Sequence, residues 1–249
     1  MTIHFIGVGP GSADLLTIRG QRFIKKSPIC LYAGSLVSKK ILDYCPKNVI
    51  KKNTAYMDLD KIMNEFKKAE NKKLDVSRLH SGDLSIWSAM GEQIRLLKKE
   101  RISYTITPGV PSFAAASAVI EKELTLPGIS QSVILTRSSG RASPLPESEK
   151  IEYMAKTKAT LAIHLSIQNL KELIDKLLPF YGEDCPISVL YKISHPDQRI
   201  YSGTLKDIKR LVPKSITRTA LILVGKVLDS SEFDNSSLYS KHYKRRYKK

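Results

Sequence analysis

Short apolar runs alternate along this chain with longer stretches whose apolar positions recur every three or four residues. IHFIGVG (3–9) has the pattern of a buried strand ended by its glycines, and LLTIRGQRFIKKS (15–27) follows with one apolar face. Asp14 and Thr17 open that helical stretch and Pro28 closes it. The same alternation continues through ICLYAG (strand), SKKILDYC (helix, stopped at Pro46) and DLDKIMNEFKKAENKK, where Ile62, Phe66 and Ala69 share a helical face. DVSRLHSG is the next strand, DLSIWSAMGEQIRLLKKE a loop feeding a helix, and SYTITPG a strand broken at Pro108 and Gly109.

EKELTLPGISQ (121–131) marks the passage into a second half. There SVILTR, ATLAIHLS, ISVLYKIS, QRIYSGTL and TALILVG are strand candidates, with helices at IQNLKELIDKLLPFYG and LKDIKRLV. Strands alternating with amphipathic helices predict an α/β fold with a mainly parallel first sheet, and the strand-rich second half admits antiparallel pairs. The expected organisation is two α/β domains, residues 1–118 and 119–228, meeting across a cleft, then a basic tail over 229–249. SSGRASPLPESEK (138–150) has the composition of a surface loop.

Composition narrows the function classes. A chain of 249 residues that is 42% hydrophobic and 26% charged is globular. Its longest apolar runs fall far short of the ~20 residues of a membrane-spanning helix, and its first residues lack the pattern of a secretory leader, so a cytoplasmic protein is expected. Cys30, Cys45 and Cys185 form no C-x-x-C pair and the five histidines show no ligand spacing, so neither a metal site nor a disulfide framework is expected. The net charge of +17 is partly carried by the last nine residues, KHYKRRYKK, which hold six Lys or Arg. Such a run is most often a solvated tail, although its tyrosines also permit stacking on RNA bases. The remaining positive charge favours an anionic substrate.

GVGPGS (7–12) asks which ligand its glycines serve. A dinucleotide fingerprint needs a glycine where Ser12 stands, and a carboxylate about twenty residues on, where PICLYAGSL carries none. No G-x-x-x-x-G-K-[ST] triphosphate cradle occurs. Two further glycine- or proline-marked breaks, HSGDLSIW and TPGVPSFAAAS, also end strands. Ligands of open parallel sheets bind beyond the carboxyl ends of the strands, where all three breaks can converge. A lining of exposed backbone groups and small residues there suits an adenine edge, ribose hydroxyls and an amino-acid group.

FIGVGPGSADLLTIRGQRFI, LYAGSLV, RLHSGDLSIW, TPGVPSFAAASAVIEKELTLPGISQSVILTR, ATLAIHLS and RTALILVG, in this order over about residues 2–228, resemble the tetrapyrrole methylase family. LYAGSLV and the ELTLP…SQ…ILTR…GR…P series are most similar to its branch acting at C-11 of precorrin-4 or cobalt-precorrin-4 in cobalamin synthesis. The resemblance implies a homodimeric methyltransferase that binds S-adenosylmethionine in the cleft between two α/β domains. Carried over by position, it implies cofactor contacts at Pro10, at Ser81, Gly82, Asp83 and Ile86, at Pro111 and Ser112, and at Leu165, Ile193, Thr219 and Ala220. Arg137 and Arg141 are candidates for binding the carboxylates of a tetrapyrrole, which arginine holds bidentately.

Several positions depart from the family pattern. Where its loop reads GDPS(L/I)YGA, this chain has GDLSIWSA: Leu84 replaces proline, Trp87 tyrosine and Ser88 glycine. Losing the proline is expected to loosen the loop. Pro111 stands where Ser or Thr is commoner. No triad or paired-acid signature is present, so no catalytic residue is assigned. Asp83 is either a base or sulfonium partner, or a carboxylate that structures its own loop; His80 is either a base or a packed strand-end residue. Two alternative functions remain at this level: a family member acting on RNA, and a non-catalytic relative that binds tetrapyrrole or cofactor.

Overall fold

Two units, each with its own sheet, emerge in a computed structural model that describes residues 1–139, 144–241 and 243. The first comprises Met1–Ala115 together with Lys192–Asp197, the second Ala116–Tyr191 and Gln198–Lys249.

The first unit contains strands β1 (Ile3–Gly7), β2 (Ile29–Tyr32), β3 (Ile50–Asn53), β4 (Val76–His80) and β5 (Tyr104–Thr107). All pairs are parallel, in the order β3-β2-β4-β1-β5. The helices are α1 (Ile18–Lys26), α2 (Lys39–Leu42), α3 (Leu59–Asn71) and α4 (Met90–Lys99). Local chemistry sets their starts: the Thr17 hydroxyl accepts from Gly20 N at 3.1 Å, and the Asp58 carboxylate from Lys61 N at 2.8 Å. β1 and β4 are buried along their whole length, as central strands covered on both faces must be. Ile3, Phe5, Leu31 and Val76 pack with Ile62, Phe66 and Ala69 of α3 and Leu97 of α4; Ile6, Cys30 and Leu79 pack with Ile24 of α1 and Ile41 of α2.

The helix α5 (Ser112–Val119) carries the chain from the first unit into the second, where β6 (Val133–Arg137), α6 (Ile151–Ala155), β7 (Thr160–His164) and α7 (Leu170–Tyr181) follow. Then come β8 (Pro186–Tyr191), β9 (Arg199–Thr204), α8 (Ile208–Leu211) and β10 (Ala220–Val224). The order is β6-β7-β10-β8-β9; β6 and β7 are parallel and every other pair is antiparallel. Leu161, Ile163, Val189, Ile222 and Val224 form its core with Ile174 and Leu177 of α7.

Three elements escaped the pattern, one of them α5, whose small and apolar residues SFAAASAV give it no polar face to read. β3 reads IKKN and is mostly exposed, as an edge strand with lysines is, so it shows no apolar alternation. α6 is too short, at five residues, for helical periodicity to register. The first helix also begins later than its apolar run, because Ala13–Leu15 forms a separate 3-10 turn. Among the described residues no helix is long and apolar enough to cross a membrane.

Phe66 is fully buried between α3 and the sheet. Phe66→Ala should lower stability by about 3–5 kcal/mol in urea unfolding.

Candidate functional site: three loops that meet backbone to backbone

β1 lies between β4 and β5, so the loops leaving the carboxyl ends of these three strands are neighbours. They touch through their main chains. Gly9 N donates to Gly82 O at 3.1 Å and Gly82 N to Gly9 O at 2.7 Å. A Cβ on Gly109 would lie 2.2 Å from Gly82 O and 2.6 Å from Gly7 O; one on Gly7 would lie 2.8 Å from Gly82 O. Only glycine allows this approach. Gly82 itself, at φ 66°, opens onto free space, with nothing within 4 Å of where its Cβ would be.

Asp83 locks the junction. Oδ2 accepts from Gly109 N at 2.9 Å, while Oδ1 accepts from Ser85 N at 2.8 Å and from the Ser85 hydroxyl. Partial burial pulls its carboxyl upward, but these hydrogen bonds outweigh burial and hold it below the ordinary value of 3.8. Of its two readings, the geometry supports the loop-structuring carboxylate, since both oxygens are engaged.

The loop that follows is anchored, contrary to the expectation that it would be loose without its proline. Leu84 is 3% exposed and packs into the first unit's core, and the Ser88 hydroxyl donates to Leu84 O at 2.7 Å. Packing thus replaces the ring constraint. Trp87 and Ala89 are left-handed, at φ 48° and 53°. Gln93 Nε2 donates to Ala89 O at 2.9 Å, Arg78 Nε to Gln93 Oε1 at 3.3 Å, and Arg78 Nη1 to Thr54 Oγ1 at 2.9 Å. Arg78 is buried among these neutral partners, and burial lowers its guanidinium to about 10. His80, on the same face of β4, is also buried; desolvation and the nearby Arg78 push its imidazole down to about 3. It is a packed, neutral strand-end residue, with Nε2 unpartnered.

The segment 192–197 joins this unit at the glycine turn. Ser12 N donates to Ser194 Oγ at 3.0 Å, and the His195 ring covers Gly11 so closely that a Cβ there would sit 2.3 Å from Cδ2. Ile193, expected among second-half positions, therefore groups with the first unit, its side chain 5% exposed. Its neighbours Lys192 and Ser194 are both left-handed, at φ 47° and 64°. Pro10, Ser81, Ile86, Pro111 and Ser112 are all partly exposed on or beside the three loops, Ser112 as the first residue of α5.

In the second unit, Arg137, Leu165, Thr219 and Ala220 lie at the same end of the sheet's strands. Arg137 ends β6 opposite His164 of β7, Leu165 follows β7, and Ala220 opens β10 opposite Tyr191 of β8. Leu165 and Thr219 are left-handed, at φ 53° and 58°, and Leu165 is 73% exposed. Ser138 N donates to Ser166 Oγ at 2.6 Å and Asn169 Nδ2 to Ser138 Oγ at 3.1 Å, tying the turns after β6 and β7 together. Arg137 Nη1 donates to Ser138 O at 3.3 Å. Arg141, His242 and the last six residues of the basic tail lie outside the described residues.

Left-handed non-glycine residues cost about 1–3 kcal/mol each and need a local reason. Lys73, Arg101, Glu121 and Lys158 sit just past helix ends, where such a residue closes the last turn. The other six, Trp87, Ala89, Leu165, Lys192, Ser194 and Thr219, all fall in or beside the candidate segments. Sequence reasoning missed Ser194, His195, Thr54, Arg78 and Gln93. No local pattern links Ser12 to Ser194, which are 182 positions apart. Among the described residues no cluster of three His, Cys, Asp or Glu could hold a metal ion. In the first unit, the space beside Gly82, where no atom lies within 4 Å of a would-be Cβ, and the partly exposed Pro10, Ser81 and Pro111 around it fit a nucleoside bearing an amino-acid group.

Comparison with known proteins adds to this geometry. The sequence model of the Tetrapyrrole (Corrin/Porphyrin) Methylases matches residues 2–209. A precorrin-4 C(11)-methyltransferase of a Sinorhizobium species is 54% identical over 249 residues, covering 100% of this chain and 98% of the relative. The crystal structure of a cobalamin biosynthetic enzyme, cobalt precorrin-4 methyltransferase, superposes with a TM-score of 0.88 at 37% identity, over 92% of this chain and 96% of that one. A uroporphyrin-III C-methyl transferase of Thermus thermophilus, complexed with S-adenyl homocysteine, shares the fold at 21% identity, with a TM-score of 0.78 over 92% and 99% of the two chains.

Two outcomes test the junction. Gly109→Ala should cost about 2–3 kcal/mol by overpacking against two carbonyl oxygens, whereas Gly91→Ala, in open space on α4, should stabilise by about 0.5–1 kcal/mol; urea unfolding measures both. The second is a pH dependence. Below the ordinary value of 6.5 the unfolded chain protonates His80 while the folded chain resists until about 3. The unfolded state then binds more protons, so stability is full above pH 6.5 and declines as pH falls towards 3. His164, lowered to about 4 by burial, adds to the same decline. His80→Gln should flatten the slope of unfolding free energy between pH 6.5 and 4.5.

Proposed function

The chain belongs to the tetrapyrrole (corrin/porphyrin) methylase family, and on that premise we propose that it transfers a methyl group from S-adenosylmethionine to C-11 of precorrin-4 or cobalt-precorrin-4 in cobalamin synthesis. The observation that carries this reading is the likeness, along the whole chain, to the Sinorhizobium precorrin-4 C(11)-methyltransferase. The loop junction supports it chemically.

When bound, S-adenosylmethionine supplies a methyl carbon made electrophilic by the positive sulfur beside it. What the chain must do is hold donor and carbon nucleophile in line at close range, an effect worth up to ~7–11 kcal/mol of the barrier. The touching glycines give a base of paired main chain, and the empty space beside the Gly82 Cα leaves room for a ligand to lie against it. Pro10, Ser81, Gly82, Asp83, Ile86, Pro111, Ser112, Leu165, Ile193, Thr219 and Ala220 are the proposed cofactor contacts. Asp83 contributes by orienting the Gly82 and Gly109 backbone rather than by taking a proton, because its oxygens already accept three hydrogen bonds. Ile193 offers its main chain, its side chain being buried. Arg137 binds a carboxylate of the substrate, and Arg141 is proposed to do the same. His80 stays neutral and buried, so it neither repels the cofactor's charge nor serves as a base. On this reading the enzyme works in the cytoplasm as a homodimer.

The test is a methyl-transfer assay with S-adenosylmethionine, offering enzymatically made precorrin-4 with and without cobalt, and total RNA. One methyl added to a tetrapyrrole is expected, and the preferred form names the natural substrate. Methylated RNA, or cofactor binding with no transfer to any acceptor, would overturn the reading. Asp83→Ala, which frees Gly109 N and Ser85, should weaken S-adenosylmethionine binding by about tenfold or more, the loss of roughly 1.4 kcal/mol in loop preorganisation, read by calorimetric titration.

A further inference from the structure

We propose that Ile18, Leu36, Tyr56 and Trp87 form an apolar platform that receives the ring system of the tetrapyrrole substrate, an inference that rests on the function proposed above. Ile18 and Tyr56 are 88% and 93% exposed, and Leu36 and Trp87 a little under half. The four are scattered along the chain but gathered at one end of the first sheet. Its strands are all parallel, so their carboxyl ends share one edge. Leu36 follows β2, Tyr56 follows β3 and Trp87 follows β4, while Ile18 opens the helix entered from the loop after β1. Of the first unit's other large apolar side chains described, only Ile50 and Ile106 are comparably exposed, and these lie within β3 and β5. A single exposed apolar residue needs no explanation, whereas a group at the ligand-binding edge of a parallel sheet does.

The loops that carry these side chains are built on one another. Gly34, after β2, lies so near the loop after β3 that a Cβ there would sit 3.1 Å from the Ala55 Cβ. Thr54 N donates to Tyr32 O at 2.9 Å, and Arg78 Nη1 donates to Thr54 Oγ1 at 2.9 Å. Met57 and Leu84 pack in one apolar cluster, which joins the loops after β3 and β4. Gly9 and Gly82 then pair the loops after β1 and β4. The platform is therefore continuous with the loops proposed to hold the cofactor, where the carbon that takes the methyl group must arrive.

Charge selects the occupant. Arg19 follows Ile18 directly, and Lys39 and Lys40 open α2 just past Leu36; all three are exposed. None of them takes part in an ion pair among the described residues. The carboxylates on the same loops are already engaged. Asp14 accepts from the Ser12 hydroxyl, Asp58 from Lys61 N with Lys61 Nζ at 3.1 Å, and Asp83 from Gly109 and Ser85. Apolar surface edged by unpaired cations suits a macrocycle with apolar faces and carboxylates around its rim. A second copy of this chain fits less well, because a two-fold interface would set the same cations against each other.

The experiment uses the full-length protein and two readouts. Methyl transfer from S-adenosylmethionine gives KM for precorrin-4, in whichever form the wild type methylates. Quenching of Trp87, the chain's one tryptophan, gives the affinity for uroporphyrin III, a stable carboxylated tetrapyrrole. Leu36→Ser combined with Tyr56→Ser should raise that KM and weaken uroporphyrin III binding by about tenfold, the effect of two lost apolar contacts. S-adenosylmethionine affinity, read by calorimetry, and the thermal midpoint should stay as in the wild type, since both side chains are exposed. Lys39→Gln combined with Lys40→Gln should weaken uroporphyrin III binding and flatten its salt dependence. Ile50→Ser, at the start of β3, should change neither readout. A wild type that binds uroporphyrin III but transfers no methyl group would strike the proposed function and leave the platform standing. A wild type that does not bind uroporphyrin III, Leu36 and Tyr56 variants that bind it unchanged, an equal loss of S-adenosylmethionine affinity, or variants whose oligomeric state changes in ultracentrifugation would each overturn the platform.

Discussion

The absence of a side chain at Gly7 and Gly109 is the constraint on which the first unit's site depends. Each carries its main chain into contact with the Gly82 carbonyl oxygen, at distances a methyl group would make impossible. β1, β4 and β5 could pair as strands with other residues at their ends, but their loops could not then interlock. The Asp83 carboxylate completes the arrangement by joining the Gly109 amide to the turn at Ser85. Sheet, loops and the open face above Gly82 thus form one rigid piece, fixed before any ligand arrives.

That rigidity is set against costs nearby. Among the described residues, six non-glycine residues in or beside the candidate segments hold left-handed backbone, and a guanidinium, Arg78, is buried among neutral hydrogen-bond partners. A buried charge without a carboxylate costs stability that ordinary packing would not. Arg78 nevertheless connects Thr54, beyond β3, with Gln93 of α4, and Gln93 in turn holds the carbonyl of left-handed Ala89. Backbone strain of this kind clusters at active sites and ligand clamps in proteins generally. In the second unit the same logic applies to Leu165, an exposed leucine in left-handed backbone at the end of β7.

Much of the fold was legible because core strands and amphipathic helices carry their periods openly, as IHFIGVG and the Ile62–Phe66–Ala69 face do. β3 was not, since an exposed lysine-bearing edge strand has no apolar alternation to read. The glycine turns were visible as breaks after β1, β4 and β5, but not that their backbones interlock, because that depends on strand order. Leu84 shows the limit of comparing motifs by position: a missing proline suggested a loose loop, while the leucine anchors it by burial. Ser194 and His195 are out of reach of any local pattern, since they meet the first glycine turn from the far end of the chain. Asp83 was legible as a candidate, and only the structure shows its carboxylate tying Gly109 to Ser85.

Hydrogen–deuterium exchange, followed by mass spectrometry with and without S-adenosylmethionine, tests the central claim most directly. If the interlocked glycine loops are a preformed cofactor base, residues 8–12, 81–89 and 108–112 are already slow to exchange in the free protein and gain further protection together when the cofactor is added. Loops that exchange freely until the cofactor arrives, or cofactor-dependent protection confined to other segments, would contradict the account.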